Sequence, residues 1–452
     1  VAELIRRLTL FDLTMIAVGA AVGSGIFLTP SSIAAALPSP VWMLGVWVMG
    51  GVVTLCGALS FAELGAMMPR AGGIYVYLSE AYGERIGFLY GWAYFLVVTT
   101  GAIAALAVAF ASYVGYFVPL GWAGTSLVAI SGLALLTVVN VVGVRASAAL
   151  SDTLTVLKLV GIAGLVAVGF TFGSSHIESF ASPPIRAGAM SVGLAPAMVG
   201  VLWSYGGWQH ATFTAGEAKR PRRDVPLSLI LGTLLVGLVY VVTNVAYLFL
   251  LSPQEMANAP QVASVAVGHV LGHATGGAMA LVIIVSTVGT AGIYTMTAPR
   301  MYFAMAERGL FFARVAEIHP RYRTPAFAIV LQSVWAMVLI SFWRTFESLI
   351  AYVVFTDWIF FGLTGAAVFV LRWKRPRAER PYRVLGYPFT TLLFLGTSAW
   401  FVVNTAVQQP RQAAAGVAFL ALGLPVHAYW AARRKRLSPR ARPEDRGGEY
   451  EG

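Results

Sequence analysis

Two short glycine clusters, Gly23-Ser24-Gly25 and Gly206-Gly207, interrupt stretches that otherwise read as continuous apolar helix. Each falls near the middle of its stretch, at about 11–37 and about 189–216, where unwound backbone is tolerated in a membrane only if protein buries it or a wet cavity faces it. Something polar must therefore sit there. Unwinding at Gly23 to Gly25 frees amide N–H groups at the start of the half-helix from Ile26 to Leu37, whose positive dipole end suits a carboxylate. It also frees carbonyls around Ala20 and Ala21 at the end of the preceding half-helix, and the second break adds carbonyls near Trp203 and Tyr205. Carbonyls accept hydrogen bonds from an ammonium group. A solute with a carboxylate and an ammonium one carbon apart fits both sets.

Ionisable side chains inside apolar stretches are the next candidates, because burying a charge in hydrocarbon is expensive unless it pairs or works. Lys158 is the one Lys or Arg assigned to the interior of such a stretch. Asp357 stands in another, as a proton site, a substrate-side determinant or a group facing an aqueous vestibule. The six histidines, His176, His210, His269, His273, His319 and His427, show no metal-ligand spacing, and no convergent set of acids, bases or nucleophiles accompanies them. The sequence therefore implies no metal, no cofactor and no enzyme chemistry. A channel would carry a selectivity loop or rings of charge, and neither is seen.

The elements that must position these residues follow from composition. Of 452 residues, 58% are hydrophobic and only 11% charged, against about 25% charged in soluble domains. Apolar stretches of membrane-crossing length recur along the chain, at about 11–37, 41–67, 86–118, 122–143, 150–172, 189–216, 226–251, 276–305, 325–343, 347–371, 386–407 and 413–431. The expectation is an all-α integral membrane protein of twelve transmembrane helices. Arg6 and Arg7 precede a first segment that runs on into Pro30, without the cleavage pattern of a signal peptide, so it is expected to be retained. Cys56, the single cysteine, lies in the second span, which rules out an intrachain disulfide.

Net charge is +12, yet the basic residues alternate from loop to loop, and external connections hold only Arg186, Arg344 and Arg411 if the N-terminus is cytoplasmic. That pattern sets topology and contact with anionic lipid, as in the Arg433-Arg434-Lys435-Arg436 run, and argues against nucleic acid. The organisation is then a cytoplasmic N-terminus (1–10), spans one to five (11–172), spans six to ten (189–371), two further helices (386–431) and a basic, disordered cytoplasmic tail (432–452). Glycine also serves ordinary helix packing. Here, however, the two breaks fall in the first helix of each five-helix half, and an odd number of helices per half forces opposite orientation, giving a five-plus-five inverted repeat around a site of discontinuous helices 1 and 6.

These motifs carry a family resemblance. Gly23-Ser24-Gly25-Ile26-Phe27, the stretch from Ala62-Glu63-Leu64 through Pro69-Arg70-Ala71-Gly72-Gly73 to Tyr75 and Tyr77, Trp203-Ser204-Tyr205-Gly206-Gly207-Trp208, and Arg380-Pro381-Tyr382-Arg383 with Gly386-Tyr387-Pro388 resemble the amino acid–polyamine–organocation superfamily and, within it, the L-type amino acid transporter branch. The match covers essentially the whole chain.

The resemblance implies that Gly23, Ser24 and Gly25 bind the carboxylate of an L-amino acid while the carbonyls of Ala21, Trp203 and Gly206 accept its ammonium, with Trp203 as the aromatic gate. A tryptophan where many members of the branch have phenylalanine implies a smaller cavity or a different gate geometry. It also implies that Lys158 takes the place of the cation that bridges the first and eighth helices in sodium-coupled relatives, bonding carbonyls before Gly23 and the hydroxyls of Ser286 or Thr290. The expected activity is sodium-independent exchange of neutral, small L-amino acids in the plasma (cell inner) membrane. Proton symport, with Asp357 or a deprotonating Lys158 as carrier, is the alternative. Heteromeric members tether a partner through a cysteine between the third and fourth spans. The corresponding segment, Pro119 to Gly124, has none, so no disulfide-linked heavy chain is expected, and the oligomeric state stays open. Glu63 and Glu80 flank the turn from Pro69 to Gly73 and are expected to pair with its basic residues.

Overall fold

The computed structural model describes residues 6–142, 144–173, 187–322, 324–342, 346–408 and 410–437. Arg186, Arg344, His176, the first five residues and the tail beyond 437 lie outside the described residues, and with them part of the terminal and external-loop expectations. Among the described residues there is no strand, only one isolated parallel bridge between Leu8 and Ala218. Among the described residues, nine helices are long and apolar enough to cross a membrane, and shorter apolar helices occupy Val192–Ser204, Val262–Leu271 and Ala326–Phe342. Large apolar side chains such as Leu127, Leu135, Leu238 and Val138 point outward, as they must where lipid is the solvent.

The first apolar stretch is two helices, α1 (Leu10–Ala21) and α2 (Gly25–Ala36). Thr9 starts α1 through a capping box with Asp12, which satisfies amides the first turn cannot bond internally. Within α2, Pro30 has no N–H to give the carbonyl of Ile26, and the Tyr247 hydroxyl donates to that oxygen at 3.3 Å instead. The chain continues through α3 (Pro40–Met67), the short α4 (Ile74–Tyr82), α5 (Glu84–Ala93), a π-helical turn (Tyr94–Val98), α6 (Thr99–Val114), α7 (Trp122–Val142) and α8 (Val144–Phe172).

The second interrupted stretch is α9 (Ala187–Ser204) and α10 (His210–Phe213), followed by α11 (Pro221–Leu250), α12 (Pro253–Ala257) and α13 (Val262–Leu271). The remainder is α14 (His273–Thr297), α15 (Pro299–Glu307), α16 (Ala326–Phe342), α17 (Phe346–Lys374), α18 (Phe389–Gln408) and α19 (Pro410–Leu437). Helix α1 packs against α11, α14, α8 and α10, and α2 packs against α9. Both interruptions are thus enclosed by other helices.

One of the two expected charge pairings differs. Glu80 does bond Arg70 of the turn, at 2.9 Å, and also Arg375. Glu63, buried in α3, instead accepts from Arg372 at 2.9 and 2.6 Å and from the Val384 amide, with Arg380 at 3.3 Å. A fully desolvated carboxylate needs several donors at once, and the 372–384 region supplies them. Arg300, near the end of the stretch at 276–305, is buried and pairs with Glu217 at 2.9 Å.

Candidate functional site

The backbone between α1 and α2 turns back on itself. Gly23 N–H donates to the Ala21 carbonyl at 2.8 Å, so of the three residues in the motif its amide is already used. Helix α2 starts at Gly25; the Phe27 and Leu28 amides donate to the Ser24 carbonyl at 3.1 and 3.0 Å, which leaves the amides of Gly25 and Ile26 as those the helix cannot bond internally. In the second break, α9 ends as Gly206 N–H bonds the Trp203 carbonyl at 3.0 Å, and the Gly207 amide donates to the Gln209 side chain at 2.9 Å. Gly207 has φ +111, and a Cβ there would lie 2.5 Å from the Ala20 carbonyl carbon and oxygen. Only glycine satisfies both the left-handed conformation and the contact. The two unwound segments therefore touch each other, backbone against backbone.

A tyrosine absent from the sequence motifs joins them further. The Tyr240 hydroxyl lies 2.8 Å from both the Ala21 and Ser204 carbonyls, so its single proton serves the ends of α1 and α9. The Ala21 oxygen thus has the Gly23 amide as one donor and a share of the Tyr240 proton as another. Ala21 lines the cavity, and an ammonium there would share its carbonyl with these donors. Tyr205 is also not brought to the cavity as a side chain: its hydroxyl donates to the Trp47 carbonyl at 2.9 Å and its ring packs on Trp47 and Tyr240.

The interior of α8 delivers Lys158 to the other side of the first break. Its ammonium, fully buried, donates to the carbonyls of Gly19 at 2.9 Å and Val22 at 2.8 Å and to Thr290 Oγ1 at 2.7 Å. An ammonium has three donors, and all three are satisfied. Of the two expected hydroxyls it is Thr290 that meets the lysine. Ser286 instead approaches the Val22 and Gly23 carbonyls at 3.4 and 3.5 Å. Thus α1, α8 and α14 share one polar node immediately behind Gly23.

Two cavities meet at Trp203. The first, with an empty volume of about 210 Å³, is lined by Ala20, Ala21, Gly23, Ser24, Gly25 and Gly206, with Leu106, Thr290 and Tyr294. The second, about 380 Å³, includes Tyr94, Gln209, Asp357 and Trp358. Trp203, Gly206 and Tyr294 line both, and the Trp203 indole N–H reaches Ser24 Oγ at 3.4 Å. Asp357 is buried, and its Oδ1 has no hydrogen-bond partner among the described residues. Behind it, His210 sits against Tyr94 at 3.2 Å, bonds Thr297 and packs on the Tyr294 ring.

The sequence reading missed Tyr240, Tyr294, Gln209 and Leu106. The glycine breaks pointed to the region, but nothing in local spacing marks these four. No group of metal-ligating side chains that could hold an ion is found among the described residues.

A model of the amino acid permease family matches residues 8–424 of the chain. The chain is 30% identical over 432 residues to the serine/threonine exchanger SteT of Bacillus subtilis, covering 95% of this chain and 97% of that one. It is 32% identical over 447 residues to the large neutral amino acids transporter small subunit 2 of Homo sapiens, covering 94% and 80%. To the b(0,+)-type amino acid transporter 1 of Oryctolagus cuniculus it is 31% identical over 378 residues, covering 82% and 76%.

Proposed function

This chain belongs to the amino acid permease family and is a membrane transporter rather than an enzyme, and from that membership we propose that it exchanges small neutral L-amino acids by a sodium-independent, alternating-access mechanism. The observation that carries this reading is the meeting of the two unwound segments at one cavity. The amides at the start of α2 face the substrate carboxylate, and the carbonyls of Trp203 and Gly206 take its ammonium. Trp203 covers the site as its gate. Lys158 and Thr290 hold the α1 carbonyls where a sodium-coupled transporter would need the ion. Small, neutral substrates fit the narrow space beside Trp203, and the serine/threonine and large-neutral specificities in the relatives' names agree with a neutral α-amino acid.

The proposed topology is twelve spans, with a five-plus-five inverted repeat (11–172 and 189–371) followed by two helices (386–431). Both termini face the cytoplasm of a plasma membrane, on the strength of the alternating basic loops. Arg433, Lys435 and Arg436 then meet anionic lipid. The sole cysteine, Cys56, is buried in α3, so this reading includes no disulfide-linked partner. A second reading, proton symport, draws on the buried carboxyl of Asp357.

Purified protein in liposomes preloaded with amino acid separates these readings. Exchange predicts uptake that requires internal amino acid and is indifferent to replacing sodium by choline. Uptake into empty vesicles driven by an inward proton gradient would favour symport, and strict sodium dependence would overturn the role given to Lys158.

A further inference from the structure

The second cavity is where a substrate side chain goes if its α-carbon sits at the helix breaks, since Trp203, Gly206 and Tyr294 line both spaces. Much of that lining is apolar, with Val98, Val353 and Phe361 among its residues. Of its neutral polar members, Tyr94 faces His210 and the Gln209 side-chain oxygen accepts from the Gly207 amide, while Tyr294 and Trp358 present a hydroxyl and an indole N–H. Asp357 differs. It is more than nine-tenths buried, and among the described residues its Oδ1 is the fully buried side-chain polar atom of this lining that has no partner. A buried carboxyl oxygen without a donor is costly, and a bound group able to donate to it removes that cost.

We propose that Asp357 is a specificity-determining residue of the substrate's side-chain subsite and selects amino acids whose short side chain carries a hydroxyl, serine and threonine, over their alkyl isosteres. This rests on the amino acid reading above and adds the chemistry of the side chain. A hydroxyl both donates and accepts, so it matches a carboxyl in either protonation state. A cationic side chain would form a desolvated ion pair that a transporter must break on every cycle. A site built to bond a hydroxyl rejects the analogue lacking it far more strongly than an apolar pocket rejects an added hydroxyl.

The test uses counterflow by the full-length protein in liposomes, comparing threonine with valine and serine with 2-aminobutyrate as isosteric pairs, with alanine as reference. Wild type should favour the hydroxyl member of each pair by roughly tenfold or more in uptake efficiency. Asp357→Leu should bring the ratio close to one, and Asp357→Asn, which keeps an acceptor, should leave an intermediate ratio. Each ratio is read within one preparation, so differences in yield do not enter. If Asp357→Leu does not fold, the Asp357→Asn ratio decides. An unchanged threonine-to-valine ratio in the variants, or a wild type that takes 2,3-diaminopropionate ahead of threonine, overturns the assignment. Alanine counterflow with equal threonine and valine uptake overturns the subsite alone. Absence of alanine counterflow overturns the amino acid reading and the subsite with it.

Discussion

Gly25 and Ser204 are packed so closely that a Cβ added to Gly25 would lie 2.6 Å from Ser204 Cα and 2.4 Å from its hydroxyl. Its glycine is thus required first by the contact between α2 and α9, before any ligand approaches. Gly25→Val is therefore expected to lower the stability of the folded protein as well as transport. Overpacking costs about 1–3 kcal/mol, and a clash with backbone, which cannot rotate away, belongs at the upper end. Thermal unfolding in detergent measures it. A variant as stable as wild type that has lost only substrate affinity would show that the glycine serves the ligand alone.

Lys158 holds two carbonyls of α1 and the Thr290 hydroxyl in one node. Lys158→Ala leaves those acceptors short of donors, at about 1–3 kcal/mol for each buried group. Exchange should fall at least about tenfold, which corresponds to roughly 1.4 kcal/mol, and substrate affinity less, since Lys158 is not among the residues lining the first cavity. Adding sodium should not restore exchange. Liposome exchange with and without sodium, set against binding by the same preparation, checks both halves, and wild-type exchange in the variant would leave the lysine without a role in the cycle.

Tyr240→Phe removes one hydroxyl and keeps the ring that packs on Trp47 and Tyr205. The Ser204 carbonyl loses its donor and Ala21 keeps only the Gly23 amide. A stability loss of about 1–3 kcal/mol is expected, with slower exchange because the two helix ends are no longer tied. Denaturant or thermal unfolding alongside the exchange rate reads both, and an unfolding curve superimposable on wild type would exclude the bridge.

Glu80, on α4 outside the membrane-crossing helices, gives a pH dependence. Burial alone would raise its carboxyl, but hydrogen bonds from Arg375 and Arg70 outweigh that and hold it below the usual carboxylate range. A group whose folded pKa is depressed contributes stability that is present above its unfolded pKa, about 4.3, and disappears as pH falls through the folded value. Glu80→Gln should therefore be less stable than wild type at neutral pH, with the gap closing in the acid limb below about pH 4. Unfolding midpoints from pH 3 to 7 test this, and a constant gap across that range would count against the charge as its origin.

The sequence by itself determined the solvent of this protein, the places where its helices break, and the one lysine in a span interior that has to work or pair. Those properties are local. Composition decides whether a segment can stay in hydrocarbon, Gly23-Ser24-Gly25 and Gly206-Gly207 decide where backbone unwinds, and a lone cation at Lys158 is conspicuous against apolar neighbours. Charge pairing at Glu80 was also legible, because Arg70 lies only ten residues away.

What tertiary structure alone decided is the partner of each polar atom. Tyr240 is 219 residues from Ala21, and Glu63 is 309 from Arg372. No spacing rule reaches across such separations, since a hydrogen bond depends on which helix faces are packed together and not on distance along the chain. The same reason explains why Thr290 rather than Ser286 meets Lys158, why the Tyr205 ring turns to Trp47, and why the Ala21 carbonyl, free on paper, is already held. Asp357 was visible as an acid at membrane depth, and its place in the second cavity beside Trp203 emerged only when α17 was packed against the rest.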